Sequence, residues 1–419
     1  MKRLRVLVSA YACNPTSSFQ LHPGEDITGW RLVGQIRRFH EVWVITHTYN
    51  RPGVEKAQAE GAYPDVHFHF LDLPRPLGAL YKIDFGQRIY YYFWQFAAWR
   101  LARRLHREHR FDLAHHLTFG NDWIGSFIGA FLPVPYIHGP VGGGQRTPKP
   151  LLKEYTAYGR FAERARQTAQ WGGRHDYIRR RCLRKAKAIL VCNKETRAKI
   201  PEKDRGKVFY FPVNGMSQED LARMPVSAPS DGPFEVLTSG RMHRLKGFAL
   251  AVKAFALFAA RHPDARFRII GMGEQEPRLR ALVAELGVQD KVTFIPWMAR
   301  PDLLQAMSTA DVFIFPSFRD GGGAVVVEAM AAGKPVVVLD SGGPGSHIEE
   351  AWGVKIAPGE PGVVAERFAE ALIRLEEDSE HRRALGRAAR RRVEEFYIYE
   401  REGERLQDIY RFALGSSMD

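Results

Sequence analysis

The sequence predicts an α/β protein with two parallel-sheet units. Three observations carry this. Short apolar runs alternate with helical patterns along all 419 residues, the signature of strand–helix–strand units. Most of those runs are built from Val, Ile, Leu and Phe without polar alternation, as strands covered on both faces require. A polar, proline-bearing stretch without clear periodicity, Met216 to Pro233, divides the runs into two series, and the length suits two cores rather than one.

In order, the first series predicts strands over Arg5 to Ala10, Val42 to Thr46, Val66 to Leu71, Leu113 to Leu117, Tyr136 to His138, Ile189 to Cys192 and Val208 to Pro212. The second predicts Phe234 to Thr238, Arg266 to Ile270, Val292 to Ile295, Val312 to Phe315, Pro335 to Leu339 and Val354 to Ile356. Helical periodicity lies between them, as in Phe248 to Ala260 and Arg278 to Leu286, and a last amphipathic helix covers Arg391 to Phe412. The expectation is two Rossmann-like domains, 1–215 and 216–394, without an obvious sequence repeat.

Composition narrows the class. A hydrophobic fraction of 45% argues against long disorder. Trp123 to Ile137, the most membrane-like stretch, contains Pro133 and Pro135 and is too short to span. With no signal-peptide pattern after Met1 to Val8, a cytoplasmic protein is expected, peripheral at most on the inner face of the cell membrane. Cys13, Cys182 and Cys192 lack metal-ligand spacing and read as buried thiols in a reducing compartment. The net charge of +14 is uneven: residues 1–215 hold 35 basic against 17 acidic residues (+18), and residues 216–419 hold 26 against 30 (−4). A basic first half suits an anionic membrane surface, a phosphorylated acceptor or nucleic acid, and a solvated helix face explains Arg100 to Arg110 or Arg174 to Lys187 equally well.

Two segments carry the chemistry. Residues 238–247, Thr-Ser-Gly-Arg-Met-His-Arg-Leu-Lys-Gly, place Arg241 and Lys246 after a strand and a glycine turn. Residues 320–333, Asp-Gly-Gly-Gly-Ala-Val-Val-Val-Glu-Ala-Met-Ala-Ala-Gly, enter a helix from a glycine-rich loop, with acids at Asp320 and Glu328. Cations and a helix N-terminus suit a diphosphate, and spaced carboxylates suit sugar or ribose hydroxyls. Gly322, Gly323 and Ala324 offer backbone N–H groups at that helix start. As isolated features, the cations are ordinary exposed residues and Glu328 an ordinary first-turn acid.

Together these segments resemble the C-terminal half of family-four retaining glycosyltransferases of the GT-B fold. The resemblance is strong over residues 236–340 and weaker before 150. It implies two domains facing across a cleft, with the C-terminal helix, about 395–419, crossing back to the first. It assigns Arg241 and Lys246 to the donor diphosphate, Glu328 to the ribose, and Gly240 to the donor site. Asp320 stands where the family usually has glutamate, so its carboxylate is one methylene shorter. Gly271 and Gly273 follow a strand, where they allow close backbone approach or only a tight turn. Trp297 and Met298 occupy the place of the base-reading loop, and a core tryptophan is the alternative there.

In the first half, the resemblance puts His138 beside the donor sugar, to position it and stabilise charge as the glycosidic bond breaks, although a strand-end histidine taken alone is more often structural. It puts Gly142 and Gly143 in the acceptor or phosphate region, where a simple turn is the alternative, and Gly24 and Glu25 in the loop after the first strand. Of His115 and His116, strand alternation predicts one facing the core and one the cleft. No Asp-x-Asp triplet is present. Arg241, Lys246 and the helix N-terminus supply positive charge in place of a metal, so no metal or other cofactor is expected beyond the nucleotide-sugar co-substrate. The aromatic run Ile89 to Trp99 beside Arg100 to Arg110 suits a membrane interface or a core helix with a solvated end. No nucleic-acid motif accompanies it, and no nucleic-acid partner is expected. The expectation is a hexosyltransferase using a UDP- or GDP-sugar on a glycan, lipid-linked or small-molecule acceptor, in cell-surface polysaccharide biosynthesis. A sugar-nucleotide epimerase, or a basic nucleic-acid- or membrane-binding protein with a vestigial site, is the alternative.

Overall fold

The structure is a computed structural model that describes residues 3–16, 24–74, 86–224 and 232–415. It divides into two units. The first comprises Met1–Gly144, Arg166–Val213 and Glu400–Asp419; the second comprises Gln145–Ala165 and Asn214–Tyr399.

The first unit holds one seven-stranded sheet. Its strands are β1 (Arg5–Ser9), β2 (Glu41–His47), β3 (Val66–Leu71), β4 (Leu113–His116), β5 (Tyr136–Val141), β6 (Ala188–Val191) and β7 (Val208–Tyr210). The order is β3-β2-β1-β4-β5-β6-β7, parallel throughout. The second unit holds a six-stranded parallel sheet of β8 (Glu235–Ser239), β9 (Arg266–Ile270), β10 (Val292–Ile295), β11 (Val312–Phe315), β12 (Val336–Leu339) and β13 (Val354–Ile356). Its order, β10-β9-β8-β11-β12-β13, repeats the pattern of the first. Each predicted strand is present, with ends shifted by up to three residues.

The apolar runs are buried on both faces, as their composition demands. Along β1, Leu7 enters one core cluster while Val6 and Val8 enter the other. Along β11, Val312 and Ile314 face one cluster while Phe313 and Phe315 face the opposite one. Each such side chain contributes about 1.5–3 kcal/mol by leaving water, so a one-residue register slip is heavily disfavoured. In both sheets the strand order reverses once, at β1/β4 and at β8/β11. Open parallel sheets form their ligand crevices at the carboxyl ends of such a pair.

Three expectations are corrected. Residues 145–165, expected in the first domain, sit with the second, because Leu151 and Tyr155 are buried in its core with Phe248 and Phe318. The first part of the expected linker is structured. Ser217 caps the helix Gln218–Arg223, and Leu221 and Met224 are buried in the second unit; residues 225–231 lie outside the described residues. The single C-terminal helix is two, Ser379–Phe396 and Tyr399–Ala413. It breaks because Tyr397 O accepts from Met216 N–H at 3.0 Å and Tyr399 N–H donates to Met216 O at 3.0 Å. The second of these helices buries Leu406, Ile409, Tyr410 and Ala413 in the core of the first unit.

Candidate functional site

The switch point of the second sheet gathers much of the glycine-rich chemistry. After β8 and β9 the backbone turns through Gly240 (φ +149°) and Gly271 (φ +142°). A Cβ on Gly271 would lie 2.0 Å from Gly240 O, so only glycine permits this approach. The two loops are joined by Met242 N–H donating to Met272 O at 2.7 Å. Gly273 approaches as closely: its Cβ would meet Met242 O at 2.3 Å.

His243 then caps a short 3₁₀ turn, Arg244–Lys246, its Nδ1 accepting from Leu245 N–H at 3.2 Å. Leu245 O accepts from Phe318 N–H at 2.9 Å and from Ser317 Oγ at 3.2 Å, tying the turn to the loop after β11. Lys246 is thereby fixed over the Phe315 ring, 5.3 Å from its centroid, with its ammonium bonded to Asp320 Oδ2. Asp320 Oδ1 accepts from Gly322 N–H at 3.1 Å and from Gly323 N–H at 3.0 Å. Gly323, at φ +73°, opens the helix Ala324–Ala331. One carboxylate therefore joins Lys246 to the two amides ahead of that helix. Burial alone would push the Asp320 carboxyl up, but Lys246 and the two N–H donors more than offset it and hold it below its ordinary value.

Glu328 is the fifth residue of this helix, a turn later than a first-turn acid would be. Its Oε1 accepts from Arg300 Nε at 3.2 Å, and Arg300 donates in turn to Asp220 Oδ2 at 3.1 Å. Burial pushes the Glu328 carboxyl up, and Arg300 pulls against it. Beyond β10, Trp297 is 68% exposed, which removes the core-tryptophan alternative, while Met298 is half-buried against the core. Arg241 is exposed, and its guanidinium has no partner among the described residues. Lys246, Asp320, Gly322 and Gly323 are thus in direct contact, whereas Arg241 and Trp297 are presented to solvent near the strand ends.

Sequence reasoning missed Arg300 and Asp220. Neither belongs to a spaced motif: Asp220 lay in a supposed linker, and Arg300 precedes Pro301 at an unremarked helix start.

In the first unit, Gly24 (φ +94°) opens the helix Glu25–Arg37. Glu25 borders a depression of about 220 Å³ together with Arg88, Asn121, Trp123 and Gly143. The surrounding protein and then Asp26 push its carboxyl upward, although the side chain itself remains open to solvent. Gly142 exchanges backbone bonds with Gly120 and Asp122, at 2.9 and 2.8 Å. Gly143 O accepts from Gln170 Nε2 at 2.8 Å.

His138 does not point outward as expected. It is 2% exposed, bonded to Tyr136 OH at 2.9 Å and stacked on His116 at 5.6 Å. Burial, chiefly, drives its pKa well below the ordinary value. His115 and His116 are both buried as well, because helices cover both faces of this sheet and strand alternation only chooses between two interiors. Burial also pushes the thiols of Cys13, Cys182 and Cys192 upward. Among the described residues no cluster of three or more His, Cys, Asp or Glu could hold a metal ion, and no helix is long and apolar enough to cross a membrane.

Residues 222–392 match the family described as glycosyl transferases group 1. A D-inositol 3-phosphate glycosyltransferase of Pseudarthrobacter chlorophenolicus is 38% identical over 162 residues, 38% of this chain and 38% of that protein. The chain spans under half the length of this and the other curated D-inositol 3-phosphate glycosyltransferases it matches. An uncharacterized glycosyltransferase of Methanocaldococcus jannaschii is 25% identical over 410 residues, 91% of this chain and 92% of that one. Among solved structures, HepE of Anabaena in complex with UDP superposes with a TM-score of 0.61 at 16% identity, covering 97% of this chain and 99% of the other. Two Rossmann-like units, with a C-terminal helix returned to the first, are the GT-B arrangement. The second unit thus carries a glycosyl transferases group 1 match over residues 222–392, and the whole chain has a GT-B fold.

Proposed function

We propose that this protein is a retaining glycosyltransferase that moves a hexose-type sugar from a UDP- or GDP-sugar to a hydroxyl of a glycan or lipid-linked acceptor, in cell-surface polysaccharide biosynthesis. The observation that carries the reading is the Lys246–Asp320–helix N-terminus constellation at the β8/β11 switch point. An ammonium beside backbone amides ahead of a helix is an anion seat.

In this reading Lys246 and Arg241 bind the diphosphate, Gly322 and Gly323 approach the phosphate or sugar, Asp320 takes a sugar hydroxyl, and Glu328 takes the ribose. Trp297, already exposed, flanks the base. The bond from the anomeric carbon to the diphosphate oxygen breaks, and the acceptor oxygen bonds the same face of that carbon. The acceptor proton passes to the departing diphosphate, whose growing charge Arg241 and Lys246 stabilise. His138, sealed inside the first unit, is given no contact with substrate. The acceptor is assigned to the first unit, near Glu25 and Gly143. Arg241 and Lys246 supply the charge a metal would, so EDTA should leave turnover intact. The printed names of relatives support the class: one acts on inositol 3-phosphate, and another was solved with UDP.

A thermal-shift panel with UDP, GDP, ADP, TDP and CDP, repeated with Lys246→Ala, tests the donor site. Selective stabilisation by one nucleotide, lost in the variant, supports it and identifies the base. No shift with any at millimolar concentration would sink it. Donor conversion without an acceptor would favour an epimerase instead. Peripheral membrane attachment is a second reading, favoured by Phe93 and Phe96, 47% and 43% exposed on the helix Gly86–His109. Failure to float with anionic vesicles would dismiss it.

A further inference from the structure

Arg300 entered through no motif, yet it joins three separate elements. It is the first residue of the helix Arg300–Thr309, three positions beyond Trp297. Its Nε donates to Glu328 Oε1 at 3.2 Å, on the helix Ala324–Ala331, and its second nitrogen donates to Asp220 Oδ2 at 3.1 Å, on the helix Gln218–Arg223. The Glu328 side chain is 18% exposed. A carboxylate in that setting is poorly hydrated, and the charged groups facing it are Arg300, which favours ionisation, and Asp220, which opposes it. To accept from ribose hydroxyls Glu328 must be ionised, and one oxygen must be open. Arg300 occupies Oε1, and Oε2 has no partner among the described residues.

We infer that Arg300 is a positioning residue for nucleotide recognition: it holds the Glu328 carboxylate ionised and turned so that Oε2 meets the ribose, while Asp220 anchors the guanidinium. This rests on the nucleotide-sugar reading above. The segment after the first unit thereby acquires a task, since its first helix braces the nucleoside end of the donor site. A guanidinium suits that task better than an ammonium, because its planar fork engages two carboxylates at fixed angles.

The experiment uses the full chain and the nucleoside diphosphate that shifts the wild type most, compared with its 2′-deoxy counterpart. Kd is measured by calorimetry from pH 6 to 8.5 for the wild type, Arg300→Met and Arg300→Lys. In the wild type, the ribonucleotide binds more tightly than the deoxynucleotide, with little pH dependence. Arg300→Met is expected to bind the ribonucleotide about tenfold more weakly, the size of one charge-assisted hydrogen bond. Its deoxynucleotide affinity should change less than about twofold, so the preference collapses. The ribonucleotide loss should be greatest at pH 6 and shrink as pH rises and Glu328 ionises. Arg300→Lys should recover part of the preference. A folded Arg300→Met that keeps the wild-type preference, or loses both ligands equally, overturns the inference. If the wild type itself shows no preference, the ribose role of Glu328 is wrong; if it binds no nucleotide, the donor-site reading fails. Either result is visible before any variant is made and removes the inference with it.

Discussion

Asp320→Asn separates the two jobs of one carboxylate. Asp320 neutralises Lys246 through Oδ2 and accepts from Gly322 and Gly323 through Oδ1. Asparagine can keep the amide bonds, because its oxygen is also an acceptor, but it removes the negative charge. The diphosphate then no longer competes with a resident anion for Lys246. The Lys246 and Asp320 side chains are only 25% and 15% exposed, so solvent screens the pair weakly. A hydrogen bond to a charged group is worth about 1.5–3 kcal/mol, and releasing it should tighten nucleoside diphosphate binding about 10- to 100-fold. Turnover should fall, since the sugar loses its charged acceptor. The unliganded variant should also be less stable by about 1–2 kcal/mol as charge-assisted bonds become neutral ones. This stability difference has a definite pH sign. The folded carboxyl is held below its ordinary value, so the contribution is full at neutral pH and disappears as pH falls through that depressed value. Calorimetric titration with the nucleoside diphosphate, on samples shown to be folded, reads the affinity directly. Weaker or unchanged binding would refute the reasoning, because it would mean that Lys246 never leaves Asp320 for a phosphate.

Three further substitutions test other links. Arg241→Ala should cut turnover with any acceptor while moving stability by less than about 0.5 kcal/mol, because the side chain is exposed and without a partner among the described residues; near-normal turnover removes Arg241 from the diphosphate. Lys334→Met should raise stability at pH 7 by about 1–3 kcal/mol in chemical unfolding. Burial lowers the Lys334 ammonium to about 8, so its penalty is full below that pH and fades as pH climbs toward 10.5, where the variant's advantage should vanish. Asp311 would keep Arg382 and the Glu235 amide as partners. Gly271→Ala should cost about 3 kcal/mol in urea unfolding and weaken nucleotide-induced stabilisation, since the new methyl would collide with Gly240 O at 2.0 Å.

Much of this was legible in the chain. Parallel strands covered on both faces write themselves as unbroken apolar runs, so Val312–Phe315 and Arg266–Ile270 were readable residue for residue. Glycines where backbones meet, such as Gly271 and Gly323, also leave a direct trace, because side-chain-bearing residues rarely adopt their positive φ. What failed to show were features set by distant partners. Nothing local says that Arg300 reaches both Glu328 and Asp220. Six residues, Gln218–Arg223, are too few and too polar to display a helical period. The break at Tyr397 and Ile398 arises from pairing with Met216, nearly two hundred positions earlier. His138 was misread because a strand end does not reveal how much of the strand its neighbours enclose.

The order of synthesis gives the last helix a significance beyond packing. Leu4, Val6 and Val8 are translated long before Leu406, Ile409 and Tyr410, which close the core around them. Domains ordinarily fold from the N-terminus as they emerge, but here the leading unit stays unsealed until the second has been translated. Its apolar sheet face must wait, and it does so on a chain carrying an excess of positive charge in that half. A stop codon near residue 399 would therefore injure the half of the protein farthest from it in sequence, leaving Asn214–Tyr399 intact in composition beside a first unit that never closes.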